Sequence, residues 1–313
     1  MTEQASLLRR ATAEFVGTAS LLVVVIGSGI QASALSPDTG VALVANSLAS
    51  AIGLGLIITL LGPLSGAHLN PVVTLTAWWA RRTGGEGLGG REALSYAAAQ
   101  TAGAVAGAAV AEAMFGRTPG VLSTQVRDGG HLLIGEIVAT AGLILVIQGL
   151  GRIGRAKLIP TAVAAYIGAA IWFTSSGSFA NPAGSVGRAF SDSFTGIAPQ
   201  SLPGFVAAQL VGGVLGLALA TLLYGRERRG RAQDPADVVP VAVLPTDVIP
   251  VTVVPTDAVA EEVVAAQNVP TEVVPGEVVP AETASAEKPE KPEKTGPGVA
   301  DIARGGGAFE TAV

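Results

Sequence analysis

The dipeptide Asn-Pro occurs twice in this chain, each time where an uninterrupted membrane span cannot accommodate it. The first lies in Ser65-Gly66-Ala67-His68-Leu69-Asn70-Pro71-Val72-Val73-Thr74, the second in Ser176-Gly177-Ser178-Phe179-Ala180-Asn181-Pro182-Ala183-Gly184-Ser185. Each follows a long apolar run and precedes a short helical pattern. Asn is a favoured N-cap and Pro suits the first helical position, so both dipeptides predict helix starts. A helix that starts directly after a span starts inside the bilayer, where irregular backbone is tolerated only along a cavity or within protein. The two boxes therefore point to a pore.

The rest of the chain is consistent with that setting. Mean hydropathy is +0.53 and only 14% of the 313 residues are charged. A bilayer requires roughly 20 apolar residues per helical span, and six candidates fall at about 13–33, 41–62, 92–115, 131–150, 157–175 and 203–224. The segments 70–80 and 181–190 are too short to cross and are expected to dip in from opposite sides as half-helices. Arg9-Arg10 followed by an apolar run resembles a signal peptide, but Glu14 interrupts the run and the same segment recurs later, so it is read as a span. The absence of cysteine excludes disulfides, thiolate metal sites and cysteine nucleophiles.

Basic residues orient the spans. Arg9, Arg10, Arg81, Arg82, Arg91, Arg152, Arg155, Lys157, Arg226, Arg228, Arg229 and Arg231 fall on one side, against Arg117, Arg127 and Arg188 on the other. Both termini are therefore expected in the cytoplasm. Gly- and Ala-rich usage, with Arg favoured over Lys before the tail, suggests a GC-rich bacterial genome and the cell's cytoplasmic membrane.

The two halves repeat one another. Glu14-Phe15-Val16-Gly17-Thr18-Ala19 aligns with Glu136-Ile137-Val138-Ala139-Thr140-Ala141, and Tyr96-Ala97-Ala98-Ala99-Gln100 with Phe205-Val206-Ala207-Ala208-Gln209. Three spans per copy is an odd number, so the second copy is inverted, an arrangement that puts the working site near the midplane between the halves. Gly103, Ala106, Gly107 and Gly212, Gly213, Gly216 read as close helix packing in lipid.

With two Asn-Pro boxes, Glu in spans one and four, Gln in spans three and six, and His68 before the first box, residues 10–225 resemble the aquaporin (major intrinsic protein) family. The resemblance implies an all-α membrane fold of six spans and two re-entrant half-helices. It also implies a homotetramer with one pore per subunit, small neutral solutes as partners beside the lipid bilayer, and neither cofactor, metal, nucleic-acid partner nor catalytic step. Repeat 1 would occupy about 10–118 and repeat 2 about 128–226 of a channel domain, 1–231. Asn70 and Asn181 would face each other at mid-membrane, offering N–H donors at two positive helix ends that exclude cations and protons. Pro71 and Pro182 start the half-helices. Val72 departs from the family's Ala, which Ala183 keeps, and is read as a packing change.

By the same resemblance, Glu14 and Glu136 hold the re-entrant loops, a role favoured over a proton relay despite their place within spans. Gln100 and Gln209 tie spans together. His68 is read as a fixed loop residue, with pore lining or pH sensing as the alternative.

The departures concern selectivity. Water-selective members carry Arg three residues after the second Asn; here it is Gly184. Spacing from the two Asn residues puts the other constriction positions at Ser50, Ala169 and Ser178, so four small residues are expected. A slip of one residue would substitute Ala49, Ala51, Gly168 or Ala170, all small. Such a filter suits glycerol, urea and undissociated boric or arsenious acid. Two alternatives remain: a water-selective channel with Arg188, one turn beyond Gly184, partly filling the filter, and an ion-coupled secondary transporter. Arg188 as an anchor at the vestibule rim is the other reading of that residue.

From about 232 the composition turns Pro-rich and acidic, with 14 acids and 4 bases for a net charge of −10, against +5 for residues 1–231. Frequent Pro forbids helix and central strand, so 232–313 is expected to be a disordered tail. It is read as a solvated spacer, with docking of a cytoplasmic partner as the alternative.

Overall fold

A computed structural model of the chain describes residues 5–225; the tail expected over 232–313 lies outside them. Among the described residues there are eight α-helices: α1 (Leu7–Leu35), α2 (Thr39–Ser65), α3 (Pro71–Arg82), α4 (Gly90–Met114), α5 (Gly130–Arg152), α6 (Ile159–Phe173), α7 (Pro182–Arg188) and α8 (Leu202–Tyr224). Short 3₁₀ turns, Ala156–Leu158 and Pro199–Ser201, lead into α6 and α8. Helices α3 and α7 are the half-helices and the other six are the spans. Five of the six are long and apolar enough to cross a bilayer by length and composition. The remaining one, α4, is rich in Ala and Gly and carries Gln100 and Glu112. Both side chains are buried within the protein, so its polarity is not presented to lipid.

The contacts repeat with the sequence. Helix α1 packs on α4 and α2 as α5 packs on α8 and α6. Each half-helix inserts between the last spans of both repeats, α3 against α4 and α8, α7 against α8 and α4. The pair α2 and α6 closes the ring across the repeats. This is the inverted duplication realised as a pseudo-twofold bundle.

The tightest crossings rest on the glycines noted in the sequence. A Cβ on Gly103 would lie 2.3 Å from the carbonyl oxygen of Phe15, and one on Gly107 2.2 Å from that of Ala19. In the second repeat, Gly212 meets Ile137 O at 2.6 Å and Gly216 meets Ala141 O at 2.4 Å. Phe15 aligns with Ile137 and Ala19 with Ala141, so the same two notches recur at equivalent heights. Backbones that approach this closely gain dispersion contacts in a solvent that gives helices no hydrophobic reason to associate.

Because the obstacle is backbone, it cannot move aside like a side chain. Gly107→Ala is expected to destabilise the protein by about 1–3 kcal/mol. Gly130→Ala, whose new methyl would meet nothing within 4 Å, should leave stability unchanged. Thermal unfolding of the two variants in detergent provides the comparison.

Candidate functional site

Both half-helices begin at their Asn. The Asn70 Oδ1 accepts the N–H of Val72 at 2.9 Å, and the Asn181 Oδ1 accepts that of Gly184 at 3.1 Å. Pro71 and Pro182 occupy the first helical position, where a missing N–H costs nothing. With each Oδ1 turned to its own helix, the Nδ2 atoms cross the molecular axis. Asn70 donates to Ala180 O at 2.7 Å and Asn181 to Leu69 O at 2.8 Å. This reciprocal pair ties the half-helices together end to end. An amide nitrogen has two hydrogens, so one N–H on each Asn is left over.

The loops before the boxes are conformationally expensive. Ala67, Leu69, Ser178 and Ala180 all have φ between 45° and 52°, alongside Gly66 at 90° and Gly177 at 74°. Non-glycine residues in the left-handed region cost roughly 1–3 kcal/mol each when over-determined by their surroundings. The over-determination comes from two fully buried carboxylates. Glu14 accepts from the N–H of His68 (3.0 Å) and Leu69 (2.7 Å), from Ser65 Oγ (2.6 Å) and from Gln100 Nε2 (2.8 Å). Glu136 accepts from the N–H of Phe179 (2.9 Å) and Ala180 (2.8 Å) and from Gln209 Nε2 (2.6 Å). The glutamines also reach the half-helices, Gln100 to Thr74 Oγ1 and Gln209 to Ser185 Oγ, both at 2.9 Å.

A cavity of about 350 Å³ runs through this assembly. One end is lined by Glu86, Gln148 and Arg152. The walls are His68 and Val73 from the first loop and α3, Leu143 and Ile147 from α5, and Leu54 and Ile58 from α2. It passes both Asn70 and Asn181 and ends among Ser50, Ile171, Ser178, Gly184 and Arg188. Glu14, Glu136, Gln100 and Gln209 do not line it. His68 does: its Nδ1 lies 3.2 Å from Thr74 Oγ1 and its ring meets Tyr96 edge-on at 5.5 Å.

The far end departs from the sequence expectation in one position. Ala169 is exposed on the outside of α6, and the cavity row of that helix is Ile159, Val163, Ile167 and Ile171. Four-residue steps keep these on one face, and Ala169 sits two residues off, on the opposite side. The slip is two residues rather than one. The α6 residue at this end of the cavity is thus a bulky isoleucine and not Ala169. The i, i+4 row of large apolar residues was the available signal. Ser50, Ser178 and Gly184 do line the cavity, and among the described residues the buried hydroxyls of Ser50 and Ser178 have no hydrogen-bond partner.

Arg188 lines the cavity as well. Its guanidinium lies over the Phe179 ring, 3.9 Å from the centroid, and among the described residues it makes no hydrogen bond or ion pair. Arg127, on the α4–α5 connection, also approaches Phe179 (5.2 Å) but is engaged by the carbonyls of Gly196 (2.7 Å) and Phe194 (3.2 Å). Burial pushes the Arg127 guanidinium below its ordinary value, with the Glu136 charge opposing. Sequence reasoning missed Phe179, Ile171 and the Glu86–Arg152 end. Among the described residues no group of His, Asp and Glu is placed to hold a metal.

The Major intrinsic protein family model matches residues 1–193. The chain belongs to that family. It is 46% identical over 238 residues to Aquaglyceroporin AqpS of Rhizobium meliloti (strain 1021), covering 76% of this chain and all of that protein. Aquaporin Z of Brucella melitensis is 31% identical, covering 71% of this chain and all of that protein. Among solved structures, the aquaglyceroporin from Plasmodium falciparum superposes with a TM-score of 0.53 at 20% identity, covering 71% of this chain and 96% of the other. That likeness shows the fold. The chain is accordingly a multi-pass membrane channel for small solutes and not an enzyme.

Val72, the departure in the first box, is absent from the cavity lining and packs outward. Its Cγ1 lies 2.4 Å from where a Cβ on Gly213 would be, so the glycine on α8 makes room for the larger side chain. Gly213→Ala is expected to lower the unfolding temperature in the Val72 background and to be tolerated alongside Val72→Ala. A double-mutant cycle on detergent-solubilised protein should return a coupling of about 0.5–3 kcal/mol; additive effects would show that the two positions do not compensate.

Proposed function

We propose that the chain conducts small uncharged solutes passively: glycerol and related polyols, urea and neutral metalloid hydroxides, together with water. The observation that carries this reading is the cavity that passes both Asn amides and ends at Ser50, Ser178 and Arg188. A solute with lone pairs meets the spare N–H of Asn70 and of Asn181, at the N-terminal ends of α3 and α7, where helix dipoles favour electron-rich groups. A cation meets the same positive ends and, among the described residues, no carboxylate on the cavity wall between its two ends, and a proton on a water chain meets the same barrier. The name of the R. meliloti relative, aquaglyceroporin, agrees with passage of solutes larger than water.

The second reading, a water-selective pore, is favoured by one specific pair: Ile171 narrows the far end and Arg188 returns a cation to it. In our reading Arg188 is the filter's hydrogen-bond donor, supplied from one turn beyond the usual place, while Gly184 keeps the space below it open. An ion-coupled transporter needs a titratable acid at the midplane. Among the described residues Glu86 is the one carboxylate on the cavity, at its end and not its centre. The distribution of basic residues supports cytoplasmic termini, which makes the Arg188 end extracellular, in the cytoplasmic membrane and by family analogy in a homotetramer.

The test is stopped-flow light scattering on proteoliposomes mixed with hyperosmotic glycerol. Fast shrinkage followed by re-swelling faster than in empty liposomes is expected. Re-swelling no faster than in empty liposomes would establish the water-selective reading instead. Arg188→Ala is expected to raise the glycerol-to-water permeability ratio by about fivefold, because a fork of charged donors and its bulk both leave the constriction.

A further inference from the structure

Phe179 belongs to neither Asn-Pro dipeptide and yet touches Arg188, a cavity cation that among the described residues makes no side-chain hydrogen bond or ion pair. Its backbone is immobilised: Glu136 holds its N–H at 2.9 Å, and Ser178 and Ala180 on either side are both left-handed. Its ring is buried and packs edge to face on Phe205 of α8, with centroids 5.2 Å apart at 64°. Backbone and ring are therefore fixed independently of anything in the cavity. On this platform lies the Arg188 guanidinium, at 3.9 Å.

The choice of an aromatic ring has a physical consequence. A carboxylate beside Arg188 would also position it, but would neutralise it and occupy its N–H groups. A ring face attracts the cation through its quadrupole and adds no net charge. The planar guanidinium keeps its edge donors free. Nearby, the Ser50 and Ser178 hydroxyls are buried and, among the described residues, unpartnered, so three polar groups converge on the cavity with bonds still to make. Arg127 lies by the same ring but is committed to Gly196 and Phe194. The repeat sharpens the point: position 179 corresponds to His68, whose ring meets Tyr96 as Phe179 meets Phe205. Both copies keep an aromatic pair beside the box, but in the second the pair carries an arginine.

We propose that Phe179 is the positioning residue of the outer constriction: its ring holds the Arg188 guanidinium over the cavity without neutralising it, so that Arg188, Ser50 and Ser178 select solutes as one unit. This rests on the reading of Arg188 as the filter donor. Released from the ring, the side chain would leave the constriction for the aqueous vestibule, and the pore would behave as if Arg188 were absent.

The experiment measures glycerol and water permeability in proteoliposomes for Phe179→Leu, Arg188→Ala and the double variant, with Phe179→Tyr as the conservative control. The expected result is an increase of about fivefold in the glycerol-to-water ratio for Phe179→Leu. The double variant should not exceed Arg188→Ala, and Phe179→Tyr should keep the wild-type ratio. Site-specific replacement of Phe179 by trifluorophenylalanine preserves shape while cancelling the quadrupole. It should shift the ratio in the same direction, which covers the case in which the leucine variant does not fold. An unchanged ratio for the fluorinated protein, or additive effects in the double variant, would overturn the assignment of Phe179 while leaving Arg188 in the filter. An unchanged ratio for Arg188→Ala would overturn the filter reading itself, and this inference with it.

Discussion

Everything distinctive in this protein hangs on two buried carboxylates that have no cation to pair with. Glu14 and Glu136 sit inside membrane spans, where a charge is expensive, and neither makes an ion pair among the described residues. Their stability there is a matter of hydrogen bonds. Each charge-assisted bond contributes about 1.5–3 kcal/mol, and Glu14 collects four and Glu136 three. The donors are largely backbone N–H groups of the re-entrant loops, which in the bilayer have no water to turn to. Charge and loop thus solve each other's problem. The surplus is comparable to the strain of the two left-handed non-glycine residues per loop, so a backbone course disfavoured in isolation becomes the stable one.

Once the loops are fixed, the Asn residues have little freedom left. Each caps its own half-helix with Oδ1 and bonds the opposite loop's carbonyl with Nδ2. The remaining N–H is the one our reading offers to the solute, and its direction follows from the other two bonds. The site is organised by satisfaction of polar groups rather than by the solute, as expected for a channel whose permeants must leave as easily as they enter.

Much of this was legible in the sequence because it is carried by residue type and local spacing. Asn-Pro after an apolar run specifies a cap wherever it falls. Glu14 and Glu136, or Gln100 and Gln209, are matched by internal alignment without reference to three dimensions. The filter was less legible, because its members come from different helices whose phase depends on the irregular stretch between them. Two residues separate Ala169 from Ile171, which is enough to turn a helix position from cavity to exterior. Arg188 could be placed on the right helix face by its four-residue step from Gly184. The feature that aims it, the face of Phe179, depends on loop geometry that no spacing rule encodes.

The duplication also explains why the two ends of the pore differ. A symmetric pair of boxes supplies a symmetric barrier at the centre, and nothing in it prefers glycerol over water. Discrimination has to come from places where the copies have diverged. Val72 against Ala183 is one such place, but Gly213 absorbs its extra bulk away from the cavity. His68 against Phe179 is another, and here the difference faces the permeant. An imidazole beside the Thr74 hydroxyl adds a polar wall, whereas a phenyl ring can hold a cation without quenching it. In our reading the selective step therefore lies in the half of the pore where repeat 2 carries a purely aromatic ring at the position of His68, with the Arg188 guanidinium over it.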